Sequence, residues 1–337
     1  LIIINMMNTN IITNATFSRN FFLTIGESMI RLSAPPPNLL VDTPSVDIHI
    51  AGAESNVCCA LARMGHHAVW LSRLTANTLG KRITQTLAGY GVDCSHVVWT
   101  DQDRVGTYYL ETGASPRPTQ VLYDRQHSAA SRMDEHTFDL SLLRDASIVH
   151  LTGITPALSD GCYRLVQRVI EAARAHNVPV SFDVNFRAKL WAAQACREAL
   201  TPLLSQVQTL LISKRDAEGV FGVVGDPVST LHQLRERFGV GNIAVTVGED
   251  GAVGLSGEAV TVVPGYKVQM VDRIGAGDSF AAGVICGLLE GGDFALGMRY
   301  GVAMSALQLT LTGDLFRLER DDVLRLMNSG ASAGLVR

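Results

Sequence analysis

From residue 21 onward, short apolar runs alternate with segments of helical pattern, and this alternation limits the fold more than any other feature of the chain. Apolar runs of strand length read as parallel strands buried on both faces, and the segments between them must cross back over the sheet. Residues 21–25, 68–72, 148–151, 180–183, 209–212 and 243–247 read as strands, and 56–64, 79–90, 161–176, 192–204 and 228–238 as helices. Gly65 and Gly91 stand where two of these helices must stop. A short β stretch at 252–263, two packed helices at 279–289 and 294–309, and a closing helix at 321–328 complete the pattern. With 337 residues, 47% of them hydrophobic, the chain can cover a mostly parallel sheet on both faces.

The alternation is broken once. Residues 105–111 and 119–124 read as two strands about a turn that holds Gly113, Pro116 and Pro118, so a hairpin is inserted there. Residues 41–50 alternate irregularly, as expected of an exposed sheet edge. Residues 1–20 read as a loose extension, 21–329 as the folded domain and 330–337 as a frayed tail.

Composition excludes several classes. The 28 basic side chains are outnumbered by 32 acidic ones and form no basic block, which argues against a nucleic-acid partner. The six cysteines show no C-x-x-C spacing, which excludes a zinc ribbon and suits a reducing cytoplasm. No apolar run approaches the ~20 residues of a spanning helix, so no membrane partner is expected.

In open parallel sheets ligands bind beyond the carboxyl ends of the strands, and polar residues there are the first candidates. Gly275-Ala276-Gly277-Asp278-Ser279-Phe280 leads directly into Ala281-Ala282-Gly283-Val284, a helix start of small residues. Glycines let a backbone approach an anion, and free N–H groups at a helix start hold the charge of a transferring phosphoryl group. Asp278 at that place suits a base for a hydroxyl nucleophile. An ordinary tight turn with Asp278 as helix cap is the alternative on these residues alone.

Preceded by Asp272, this turn resembles the C-terminal signature of the PfkB, or ribokinase-like, carbohydrate kinases. Gly52-Ala53-Glu54-Ser55-Asn56-Val57, with residues 60–65 after it, resembles the sugar-binding turn and helix of that family, and the resemblance runs in order from about residue 21 to 326. It implies a ribokinase-like, Rossmann-type α/β fold with a small β-sheet lid formed by about 31–51 and 105–126. It also implies ATP and Mg2+, with Asp278 as base and Gly275, Ala276 and Gly277 as the anion hole.

Residues 105–111, 121–125, 128–129 and 183–187 are similar to the 2-keto-3-deoxygluconate kinases of the family. That likeness implies a substrate pocket of Gly52, Ala53, Asn56, Tyr108, Tyr123, Arg125 and Arg187, with the arginines on a sugar carboxylate. The chemistry is consistent, because guanidinium groups match carboxylates in a planar fork. Ser213, Thr246, Gly248, Gly251, Gly275 and Gly277 are implied nucleotide contacts, and Asp216 is a candidate metal ligand.

Three departures stand out: Ser213-Lys214-Arg215-Asp216 replaces the family's Asn-x-x-Glu, Val302 stands where an Asn is frequent, and Ala51 replaces a second glycine. The expected activity is phosphorylation of 2-dehydro-3-deoxy-D-gluconate at its terminal hydroxyl. A kinase of a neutral sugar or nucleoside, and a catalytically silent sugar- or nucleotide-binding regulator, remain as alternatives. An exposed lid edge also suggests a homodimer or higher homo-oligomer formed through the lid.

Overall fold

In the computed structural model, which describes residues 21–114 and 116–329, the run Phe21–Ile25 lies inside a large sheet with helices on both faces. Across the sheet, from one edge to the other, stand Ala259–Pro264, Gly251–Ser256, Asn242–Thr246, Thr209–Ser213, Val180–Asp183, Ala146–Thr152, Phe21–Ile25, Ala68–Leu71 and Val92–Asp93. The seven from Asn242–Thr246 onward pair in parallel, and the two at the other edge are antiparallel.

The helices divide by face. Asp160–Ala175, Ala193–Leu204 and Pro227–Phe238 bury Leu165, Val169, Leu200, Leu203, Leu231 and Leu234 in one core. Ala53–Arg63, Ala276–Leu289 and Phe294–Gln308 bury Val57, Leu61, Val284, Ile285 and Met298 in the other. Burying such a side chain contributes about 1.5–3 kcal/mol, so the two cores hold the sheet from both sides. Ser159, Asp226 and Asp293 cap three of these helices by accepting from first-turn N–H groups. Helices Ala276–Leu289 and Phe294–Gln308 approach closely enough that a Cβ on Gly283 would lie 2.3 Å from the Gly301 nitrogen. That contact fixes the helix whose first turn carries Asp278.

A separate sheet, ordered Asp47–Ala51, Met29–Ala34, Thr107–Glu111, Gln120–Asp124, stands over the carboxyl ends of the main strands. Its outer pairs are antiparallel and its central pair parallel. The inserted hairpin forms half of it. The edge segment is shorter than expected, because only Asp47–Ala51 of residues 41–50 is a strand. Pro44, inside the stretch that is not strand, offers no N–H to a ladder. Met29–Ala34 is a strand that its mixed run of apolar and polar residues did not announce. The stretch 252–263 is a hairpin that turns at Gly257. Expectations for residues 1–20 and 330–337 lie outside the described residues. Among those described, no helix is long and apolar enough to cross a membrane.

Candidate active site

Between the small sheet and the ends of the main strands lies a cleft of about 380 Å3. The helix Ala276–Leu289 opens into it. Gly275 takes φ 80°, and a Cβ there would sit 2.3 Å from the Asp314 carbonyl oxygen, so this turn requires glycine. Around Gly277 a Cβ would meet nothing within 4 Å, which leaves its backbone open. N–H groups of a first turn have no partner within the helix, so Gly275–Gly277 presents donors and the positive end of a dipole.

Asp278 is not a cap. The cap position is Gly275, without any side-chain bond, and Asp278 is 7% exposed within the first turn. Its Oδ2 accepts from Asn56 Nδ2 at 2.6 Å, while Asn56 Oδ1 accepts from the Gly52 N–H at 3.3 Å. Gly52 passes so close to Glu27 that a Cβ would lie 2.1 Å from the Glu27 carbonyl oxygen. The two glycine turns, far apart in sequence, are thus joined through one side-chain amide.

Carboxyl groups crowd the floor. Asp183 ends its strand, and loss of solvent, followed by the charges of Asp278 and Asp216, pushes it up to about 8 against the pull of Arg187. Burial raises Asp278 as well, opposed by the Asn56 bond and by Arg187, and reinforced by Asp314. Glu54 is raised by burial too, although Thr155 and Thr152 each donate to its Oε1 at 2.7 Å.

The cleft is lined by Gly52, Ala53, Asn56, Tyr108, Tyr123, Arg125 and Arg187, and also by Ser213, Asp216, Thr246, Gly275, Gly277 and Asp278. Ala276, Gly248 and Gly251 do not line it. Gly248 and Gly251 have positive φ and shape the turn between two strands. Ser213 spends its hydroxyl as a cap, accepting from the Asp216 N–H at 3.0 Å. Lys214 is turned onto Glu218 and so does not load the cleft with charge, whereas Arg215 lines it.

Three side chains at the cleft already have partners within the protein. Arg125 is not a free cation, because its Nε donates to Glu27 Oε2 at 2.8 Å and a second N–H reaches the same oxygen. Tyr108 lines the cleft but spends its hydroxyl on Asp314 Oδ1 at 2.7 Å. Asp314 lies under the small sheet, where Arg31 donates to it and to Asp272 at 2.8 Å each. Burial opposes the Arg31 charge, but Asp314, Tyr108 and Asp272 outweigh it and raise its pKa. Arg187 is exposed and has no ion-pair partner among the described residues.

Glu27, Arg31, Asn185 and Arg273 were missed from the sequence. Glu27 follows the strand Phe21–Ile25 almost directly, where a ligand-facing residue belongs, so position alone could have found it. Asn185 sits at φ 41° and donates to Asp183 Oδ2 at 3.2 Å, a strained placement that only coordinates reveal.

Residues 19–320 match the pfkB family carbohydrate kinase description. The chain belongs to the PfkB family. It is a carbohydrate kinase with the ribokinase-like α/β fold. A 2-dehydro-3-deoxygalactonokinase of Haloferax volcanii is 36% identical, over 94% of this chain and 98% of that protein. The crystal structure of a 2-dehydro-3-deoxygluconokinase from Thermotoga maritima superposes with a TM-score of 0.87 at 30% identity, covering 92% of this chain and 98% of that one. An E. coli protein solved in complex with ATP and Mg2+ shares the fold, with a TM-score of 0.83 at 21% identity over 92% and 99% of the two chains.

Proposed function

We propose that this PfkB kinase transfers the γ-phosphoryl group of ATP to the terminal hydroxyl of 2-dehydro-3-deoxy-D-gluconate. The observation that carries the chemistry is Asp278, held by Asn56 at 2.6 Å directly after the open backbone of Gly277. The sugar hydroxyl oxygen attacks phosphorus in line, the bond to the bridging oxygen of ADP breaks, and Asp278 takes the hydroxyl proton. Amides at Gly275 and Gly277, which line the cleft, receive the charge that gathers on the phosphoryl oxygens. Thr246, Ser213 and Arg215 line the nucleotide side of the cleft, with Gly248 and Gly251 shaping the strand turn beside it. Asp183 and Asp216 both line the cleft and would hold Mg2+ through their carboxylate oxygens. Bound there, Mg2+ supplies charge neutralisation for the ATP phosphates.

Arg187 supports the acid-sugar reading as an unpaired guanidinium at the cleft, with Gly52, Ala53, Asn56, Tyr123 and the Glu27-bound Arg125 as the remaining sugar pocket. The Haloferax volcanii relative favours a second reading in which the galactonate epimer is the substrate. The test is a pair of variants. Asp278→Asn should lose about 10² to 10⁴ in kcat while still binding sugar acid, and Arg187→Ala should raise KM for the keto-acid. Near-normal turnover in the first variant would remove Asp278 from the mechanism, and an unchanged KM in the second would favour a neutral sugar.

A homodimer formed through the small sheet belongs to the same reading. Arg31 and Tyr108 share one face of the small sheet, and on the other the register places Ile48, Leu32, Tyr109 and Leu122 in one cross-strand row in which Leu32 packs against the core. Ile48 is 44% and Leu122 57% exposed, a row that a second sheet would cover. Six free thiols, five of them within helices, suit a cytoplasmic enzyme.

A further inference from the structure

Behind the edge strand Asp47–Ala51 lies a second cavity, of about 220 Å3, walled by that strand, by helix Thr78–Gly89 and by the loop 312–317. Arg82, Thr86 and Tyr90 line it at intervals of four residues, so they project from one side of the helix. Arg317 enters from the loop and His49 from the strand. Neither Arg82 nor Arg317 has an acidic partner among the described residues, Arg317 gives one N–H to the Thr312 carbonyl oxygen and keeps its others, and the Tyr90 hydroxyl has no hydrogen-bond partner there. His49 Nε2 is buried without a partner. The one acid in the lining, Asp314, has its oxygens engaged by Arg31 and Tyr108. The cavity is therefore a positive hollow with unspent donors. The helix ends nearby with its negative pole, but two whole charges exceed the half charge of a dipole end.

We propose that this hollow is a binding site for the phosphate group of a small metabolite, held by Arg82 and Arg317 with Tyr90 and His49 as further donors. Donors that converge from a helix, a loop and a strand match a tetrahedral oxyanion better than a planar carboxylate. The volume lies below the roughly 300–1,000 Å3 of drug-sized sites, which suits a short phosphate ester and excludes a nucleotide. The site is separated from the phosphoryl-transfer cleft by the Arg31, Asp314 and Tyr108 side chains.

Inorganic phosphate is the probe, and the 15N imidazole resonances of His49 in the full chain are the readout, assigned with His49→Asn. Phosphate should move those resonances saturably in the wild type. The Arg82→Ala/Arg317→Ala protein should need at least about tenfold more phosphate, as expected when two charge-assisted contacts are lost. Both side chains are exposed, so this variant should melt like the wild type. Arg187→Ala, which alters only the main cleft, should leave the titration unchanged. The absence of a saturable shift would overturn the site, as would a shift that survives the double variant. A shift abolished by Arg187→Ala instead would place the phosphate in the main cleft and overturn it as well.

Discussion

Asp278 can accept a proton only as a carboxylate, yet its burial favours the acid, and the Arg187 charge and the Asn56 bond are what oppose that preference. The sign follows. Removing Arg187 should raise the Asp278 pKa further, so the acidic limb of kcat/KM should move to higher pH in Arg187→Ala and return toward the wild type in Arg187→Lys. An unmoved limb in the alanine variant would detach Arg187 from the base. Asp183 yields a stability test. Its folded pKa of about 8 lies above the ordinary carboxylate value, so the folded state binds more protons and loses stability as pH rises from about 4 to 8. Asp183→Asn should therefore raise Tm at pH 8 by more than about 2 °C and do little at pH 4. A Tm lowered at pH 8 would reverse that assignment. Asp278 and Asn56 were legible in the sequence because glycine turns mark them. The Glu27 partner of Arg125 was not, since an ion pair between residues so distant in sequence exists only once the small sheet is in place.

Two elements meet at the buried group of Arg31, Asp272, Asp314 and Tyr108. Arg31 and Tyr108 come from paired strands of the small sheet, while Asp272 and Asp314 come from loops flanking the glycine turn. Asp272 also accepts from the backbone of Ile274 and Gly313, so the turn that carries Gly275 is tied to the small sheet. Arg31→Ala would leave two buried carboxylates without their cation. A loss of about 3–5 kcal/mol in urea unfolding is expected, against less than about 1 kcal/mol if the pair behaved like a surface one. The parallel strands and capped helices were readable because period and termini are local. The strand Met29–Ala34 was not, because its inward arginine is tolerable only opposite Asp272 and Asp314.

At the scale of the whole molecule, the two ends of the row Ile48, Leu32, Tyr109, Leu122 stay exposed on the small sheet. Leu122→Glu should convert a dimer to monomers in sedimentation velocity, since a charge buried between two sheets would lack a partner. A sedimentation coefficient unchanged from the wild type would place the interface elsewhere. Fold class was legible from alternation alone, whereas the exposed row depends on a register the sequence does not display. The most direct measurement of function is ADP release with Mg2+-ATP, run in parallel on 2-dehydro-3-deoxygluconate, its galactonate epimer, ribose, fructose and adenosine. Turnover concentrated on the gluconate acid is expected, with the neutral compounds far behind. Turnover confined to a neutral compound would contradict the acid-sugar assignment while leaving Asp278 as base, and turnover confined to the galactonate epimer would contradict the choice of epimer.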